Sequence, residues 1–210
     1  MDLAVILTTF ALIVPVELPD KTFIATLVLA TRYGPLATWI GVGLAFGVQT
    51  LVAVLAGGLI AQLPTRPVTA VAGAMFAIGA VLLWRGAGQA DAAEAQTEQE
   101  FIGQVTARDT GRRPGPARRV LASFTVLFIA EWGDLSQLLT AGLVVRYDDP
   151  LSVFVGAWSS LLVVAAVGAL LGRALLARVR LGTVQRVGAG VCGLLAVLAL
   201  LSALGVETPF

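Results

Sequence analysis

The sequence predicts an all-α membrane protein with six transmembrane helices, arranged as two inverted three-helix repeats. Three observations carry this reading. First, 58% of the 210 residues are hydrophobic and the mean hydropathy is +0.90, more apolar surface than a water-soluble domain of this size hides. Second, the apolar residues fall into six runs, each near the roughly 20 residues that a bilayer span requires. Third, the chain repeats itself. Glu17 and Glu131 lie 114 positions apart, as do Asp20 and Asp134, Thr22 and Ser136, Arg66 and Arg180, and Thr69 and Thr183; Pro35 with Pro150 and Gly41 with Gly156 give 115. So small a drift over a three-helix unit indicates duplication. A unit with an odd number of spans places its second copy upside down in the membrane.

The first span covers residues 3–30 and is long and interrupted. Pro15 and Pro19 sit one turn apart in it, and each removes an amide donor and frees the carbonyl four residues back. In lipid such a break survives only where it lines a cavity or packs in protein. After a turn at 31–35, the second span runs over 36–61 and carries Gly41, Gly43 and Gly47, a small-residue pattern that reads as close helix packing. Pro64 and Pro67 punctuate the turn before the third span at 68–84. Residues 85–119 form the one long loop, acidic in its first half (Asp91, Glu94, Glu98, Glu100) and basic in its second (Arg108, Arg112, Arg113, Arg118, Arg119); it reads as a linker that carries a short surface helix. The remaining spans are 120–145, 151–176 and 184–204. The units are thus 1–85, a first repeat; 86–119, a linker; and 120–210, a second repeat.

Orientation follows from the arginines. Loops on one side hold eleven and the other side only Arg66 and Arg146, which puts the long loop in the cytoplasm and both termini outside. The first run has no basic leader and passes straight into charged residues, so no cleaved signal is expected. Thirteen Arg to one Lys, with abundant Ala, Gly and Val, fits a GC-rich bacterial genome and hence a bacterial inner membrane.

The chemistry is concentrated in two stretches, Val-Glu-Leu-Pro-Asp-Lys-Thr at 16–22 and Ala-Glu-Trp-Gly-Asp-Leu-Ser-Gln at 130–137. Each sets a Glu and an Asp three apart, which on a continuous helix places both on one face. A carboxylate at a span centre costs about 2.5–3.5 kcal/mol even on forgiving insertion scales, so four of them imply a polar cavity, a partner or an ion. Inverted symmetry brings Glu17, Asp20, Glu131 and Asp134 together at mid-membrane, with Thr22, Ser136 and the side-chain carbonyl of Gln137 nearby. Such an oxygen set suits Mn²⁺, Ca²⁺ or Mg²⁺. Crowding carboxylates out of water also makes protons compete with a divalent ion for them, and that competition is the physical basis of cation/proton antiport. A blander reading pairs Glu17 with Lys21 at i, i+4, but position 135 is Leu, so the second copy has no local cation. Gln49, Thr8, Thr9, Ser159 and Ser160 are further polar groups in spans, and none is assigned a role. Trp39, Trp84, Trp132 and Trp158 read as interface or packing aromatics, with Trp132, inside the second motif, also placed to gate the site.

Composition excludes much else. There is no histidine, which removes the commonest zinc and copper ligand and any Ser–His or Cys–His nucleophile. A single cysteine, Cys192, precludes an internal disulfide. A net charge of +1 gives no reason to expect nucleic acid. An intramembrane aspartic protease would need a Gly-x-Gly-Asp context that is absent, and no enzyme is expected. A six-helix exporter of a small organic solute such as an amino acid is the alternative transporter, but it needs no four-carboxylate cluster.

The two motifs resemble the signature Glu-apolar-Gly-Asp-Lys/Arg-Ser/Thr, which occurs twice in the six-helix GDT-type family of cation/proton exchangers. That family includes the Golgi manganese/calcium transporter and bacterial manganese exporters. The resemblance spans the whole chain. It implies export of Mn²⁺, or of Ca²⁺, from the cytoplasm in exchange for protons, with the ion as cargo and no resident cofactor. By position it implies Glu17, Asp20, Glu131 and Asp134 as ion ligands, and Lys21, Thr22, Ser136 and Gln137 as supporting or proton-coupling groups. Two positions depart from the signature: Pro19 stands for Gly, and Leu135 for Lys or Arg.

Overall fold

The computed structural model describes residues 1–17, 21–63, 65–88, 96, 99–103, 115–176 and 181–205. Among them the chain is helical throughout, with no strand. The first expected span is two helices, α1 (Leu3–Glu17) and α2 (Lys21–Tyr33), bent by 78°. Then come α3 (Pro35–Ile60) and α4 (Thr65–Gly86). Most of the 85–119 loop lies outside the described residues; 99–103 are helical, with Phe101 buried. The second half follows as α5 (Pro116–Ala130), α6 (Leu135–Tyr147), α7 (Pro150–Leu176) and α8 (Leu181–Ala203).

Four helices have the length and apolarity to cross a bilayer (α3, α4, α7 and α8), and α1 with α2 makes a fifth if the bent pair is one span. The fourth sequence-predicted span, expected as one helix over 120–145, is corrected: it breaks between α5 and α6. At 15 and 13 residues, and 1.5 Å per residue, neither piece alone reaches across about 30 Å of hydrocarbon.

Burial along α3 shows how an apolar helix still has two sides. Leu44, Val48, Leu51, Leu55 and Leu59 point outward at helical spacing, whereas Gly41, Ala45, Gln49, Thr50, Ala53 and Gly57 face in, together with Val42, Phe46 and Val54. Large apolar side chains lose nothing by facing lipid, and the small residues of the inward face allow close helix approach.

The packing has an exchange pattern. α5 lies on α3 as α1 lies on α7, and α6 lies on α3 as α2 lies on α7; α3 also packs on α7, and α4 packs chiefly on α8. Glycines set the two crossings. A Cβ added at Gly41 would run into the backbone carbonyl of Val120 and sit 2.8 Å from Ser123 Cβ. One added at Gly156 would run into the carbonyl of Ile6 and sit 2.8 Å from Thr9 Cβ. The packing role read for the glycines of the second span holds: Gly43 abuts Leu162 and Gly47 abuts Trp158. Two indoles also tie α3 to α7. Trp158 Nε1 donates to Gly43 O at 2.9 Å, and Trp39 Nε1 donates to Leu162 O at 3.0 Å.

At its N-terminal end α7 starts on Asp149 and Pro150. The Asp149 carboxylate accepts from the hydroxyl and amide of Ser152, the usual work of an N-cap residue, and those bonds hold its carboxyl below the ordinary carboxylate range. Ser152 Oγ in turn accepts from Asp2 N at 2.7 Å, fastening the start of α1 to α7.

Candidate functional site

The break between α5 and α6 is built locally. α5 ends with Glu131 N–H donating to Leu127 O at 3.0 Å. Gly133 has φ +81°, a conformation that costs a residue without Cβ nothing. Asp134 then caps α6: its Oδ2 accepts from the Ser136 amide and hydroxyl, both at 3.2 Å. Gln137 clamps the turn from above. Its Nε2 donates to Glu131 O at 2.6 Å and its Oε1 accepts from Gly133 N–H at 3.3 Å. The sequence Asp134-x-x-Gln137 has the spacing of a capping box, with Gln137 taking the Gly133 amide in place of the Asp134 amide, and it is the local signal for the break that a reading by hydropathy passes over.

One expectation changes here. Glu131 and Asp134 do not share a helix face; they occupy the non-helical turn between two helix ends. Glu17 likewise ends α1 and Lys21 begins α2, so the two are not an i, i+4 pair on one continuous helix. Asp20, Pro19 and the Lys21 side chain lie outside the described residues.

The buried carboxylates Glu17 and Glu131, 1% and 3% exposed, line one enclosed cavity together with Asp134, Ser136, Gln137 and Gln49. Its free volume is about 10 Å³, the room of one water-sized sphere. Phe46 and Leu161, 115 positions apart, form apolar walls. Thr22 is buried elsewhere, with no hydrogen-bond partner for its hydroxyl among the described residues, and it does not line this cavity. Among the described residues no three acidic, His or Cys side chains form a metal-holding group.

A second cavity, of about 470 Å³, also borders the turn. Glu131 and Asp134 line it too, with Trp132, Leu135 and the α4 residues Ile78 and Leu82. Trp132 is 59% exposed and stands 5.0 Å, centroid to centroid, from Phe128. Leu135 packs against Gly79 of α4. The two carboxylates of the second motif thus line both the small cavity and the larger one.

Helix ends add fixed partial charge. The carbonyl end of α5 and the amide end of α6 meet at the turn, a pairing of half-helix termini that suits ions at mid-membrane depth. Gln49 of α3, to which the sequence reading gives no role, reaches this place: its Nε2 donates to Phe128 O in the last turn of α5 at 3.1 Å. The only sequence signal was a lone amide in an apolar span, which lipid does not tolerate without a partner.

Comparisons with known proteins bear on this geometry. A family model described as "Divalent cation/proton antiporter GDT1" matches residues 5–91 and 119–207. Among curated relatives, GDT1-like protein sll0615 of Synechocystis is 32% identical over 180 residues, covering 82% of this chain and 84% of its own. Protein PAM71, chloroplastic, of Arabidopsis thaliana is 28% identical over 163 residues, covering 71% of this chain and 44% of its own. GDT1-like protein 3, also of Arabidopsis thaliana, is 26% identical over 191 residues, covering 86% and 65%. No solved structure matches the chain.

Proposed function

This chain belongs to the GDT1 family of divalent cation/proton antiporters, and from that premise we propose that it exports Mn²⁺ from the cytoplasm in exchange for protons, with Ca²⁺ as the second candidate ion. The observation that carries the proposal is the meeting of Glu17 and Glu131, equivalent positions of the two motifs, at one enclosed cavity with Asp134. An ion entering there meets oxygen and no histidine or thiol, since His is absent and Cys192 is buried in α8. Mn²⁺ and Ca²⁺ accept such a set. Protons compete for the same carboxylates, so loading an ion releases protons and protonation releases the ion. An organic-solute exporter needs no doubled acidic motif, and the two motifs at 16–22 and 130–137 count against that reading.

The architecture proposed for this exchange is two inverted repeats, 1–85 and 120–210, joined by the linker 86–119. The exchange pattern of helix packing supports it, as does the equivalence of the Gly41 and Gly156 crossings. In proteoliposomes, an imposed proton gradient is expected to drive Mn²⁺ or Ca²⁺ against its own gradient, and metal addition to release protons. Equal flux with the gradient collapsed and no proton counter-flow would mean a channel or uniporter.

We place the protein in a bacterial inner membrane with the linker cytoplasmic and the termini outside, on the arginine asymmetry. With Cys192 replaced by Ser, a membrane-impermeant thiol reagent on intact cells is expected to label a cysteine placed at Asp148 and to spare one placed at Gln96. Labelling at position 96 alone reverses the orientation, and with it the export direction.

A further inference from the structure

Gln49 is 2% exposed and lies among the groups that line the enclosed cavity. Its amide cannot be oriented either way round. Phe128 O is among the last four carbonyls of α5, which have no donor within the helix, and only the amide nitrogen can satisfy it. The bond to Phe128 O at 3.1 Å therefore fixes NH₂ toward α5. The carbonyl oxygen Oε1 is left buried, with no hydrogen-bond partner among the described residues, at a cavity shared with three carboxylates. A protein that merely needed a cap for α5 would gain nothing from leaving that oxygen bare.

We propose that Gln49 Oε1 is a direct, neutral oxygen ligand of the transported divalent cation, which rests on the antiport reading above and deepens it. An amide carbonyl is a hard oxygen donor of the kind Ca²⁺ and Mn²⁺ accept, and unlike its neighbours it carries no proton. The site is lopsided as a result. The position equivalent to Gln49 in the second half is Val164, and Thr50 has Ala165 as its counterpart. The amide is thus supplied from the α3 side alone, facing the second motif. Titratable groups face it from α1 (Glu17) and from the α5–α6 turn (Glu131, Asp134); the α7 residue at the cavity is Leu161. The same side chain holds the end of α5, so ion binding at Oε1 and the placement of the turn are mechanically linked.

The test is Mn²⁺ binding to the purified full chain in detergent, followed calorimetrically between pH 6.5 and 8, with thermal melting as a control on folding. Gln49→Leu is expected to weaken binding about tenfold, by the same factor at each pH, because the lost ligand takes no proton. Gln49→Glu gives up the donor to Phe128 O but keeps an oxygen at the same reach and adds charge, and is expected to bind Mn²⁺ more tightly than wild type at pH 8. Wild-type affinity in a folded Gln49→Leu, or equal weakening in Gln49→Leu and Gln49→Glu, overturns the ligand role and leaves the antiport reading standing. If Gln49→Leu does not fold, Gln49→Glu decides alone: affinity at or below wild type at pH 8 overturns the proposal. A wild type that binds neither Mn²⁺ nor Ca²⁺ overturns both this inference and the proposed function.

Discussion

Glu131→Gln and Glu17→Gln are each expected to remove proton-coupled Mn²⁺ transport while leaving the fold intact. Gln matches Glu in size and keeps one carbonyl oxygen, so packing around these buried positions is preserved. What disappears is the charge that attracts the ion and the group that carries the proton. Outer-shell partners of a metal site are already worth about 10–100-fold in affinity, so loss of a direct carboxylate should cost at least about 100-fold. Asp134 allows a finer separation. Asn caps a helix about as well as Asp, so Asp134→Asn should keep the melting temperature and lose transport, whereas Asp134→Ala should lose both. The measurements are metal-driven proton release in proteoliposomes and thermal unfolding in detergent. Full transport in either glutamate variant would remove the paired-carboxylate site from the mechanism.

The second large effect concerns the crossings rather than the site. Gly41→Leu and Gly156→Leu each force a side chain against backbone of the facing helix, α5 in one case and α1 in the other. Backbone cannot yield as a flexible side chain does, and overpacking of even a few methylenes costs about 1–3 kcal/mol. Four heavy atoms at a backbone contact should exceed that range, and both variants are expected to be recovered mainly as aggregate. Gly58→Leu is the control: nothing lies within 4 Å of an added Cβ there, and it should behave as wild type in size-exclusion chromatography. If the two crossings are equivalent, Gly41→Leu and Gly156→Leu should fail alike.

Much of this was legible without coordinates, for physical reasons that can be named. Bilayer thickness dictates span length, so the boundaries of α3, α7 and α8 fall within a few residues of the expected 36–61, 151–176 and 184–204. Of the duplicated Glu and Asp positions, Glu17, Glu131 and Asp134 line one cavity. The turn at 131–134 was missed because hydropathy averages over Trp132 and Gly133, and a capping pair four residues long leaves the average unchanged. Gln49 was missed for a different cause. Its orientation is set by Phe128, a residue 79 positions away, and no local pattern encodes which end of an amide faces a cavity. The role of Leu135 was equally invisible, since its contact is Gly79 in the other half of the chain.

Because α1 and α2 rest on α7, and α5 and α6 rest on α3, the chain has a problem of timing during synthesis. When the ribosome has finished α2, the long helix on which α1 and α2 pack does not yet exist; residues 150–176 must still be made and inserted. At 15 and 13 residues neither α1 nor α2 spans the hydrocarbon alone, so the nascent first half has to wait at the insertion machinery or at the membrane surface. The second half faces no such delay, since α3 is already in place when α5 and α6 emerge. Biogenesis is therefore ordered, and α7 acts as the latch that commits the first half to the bilayer.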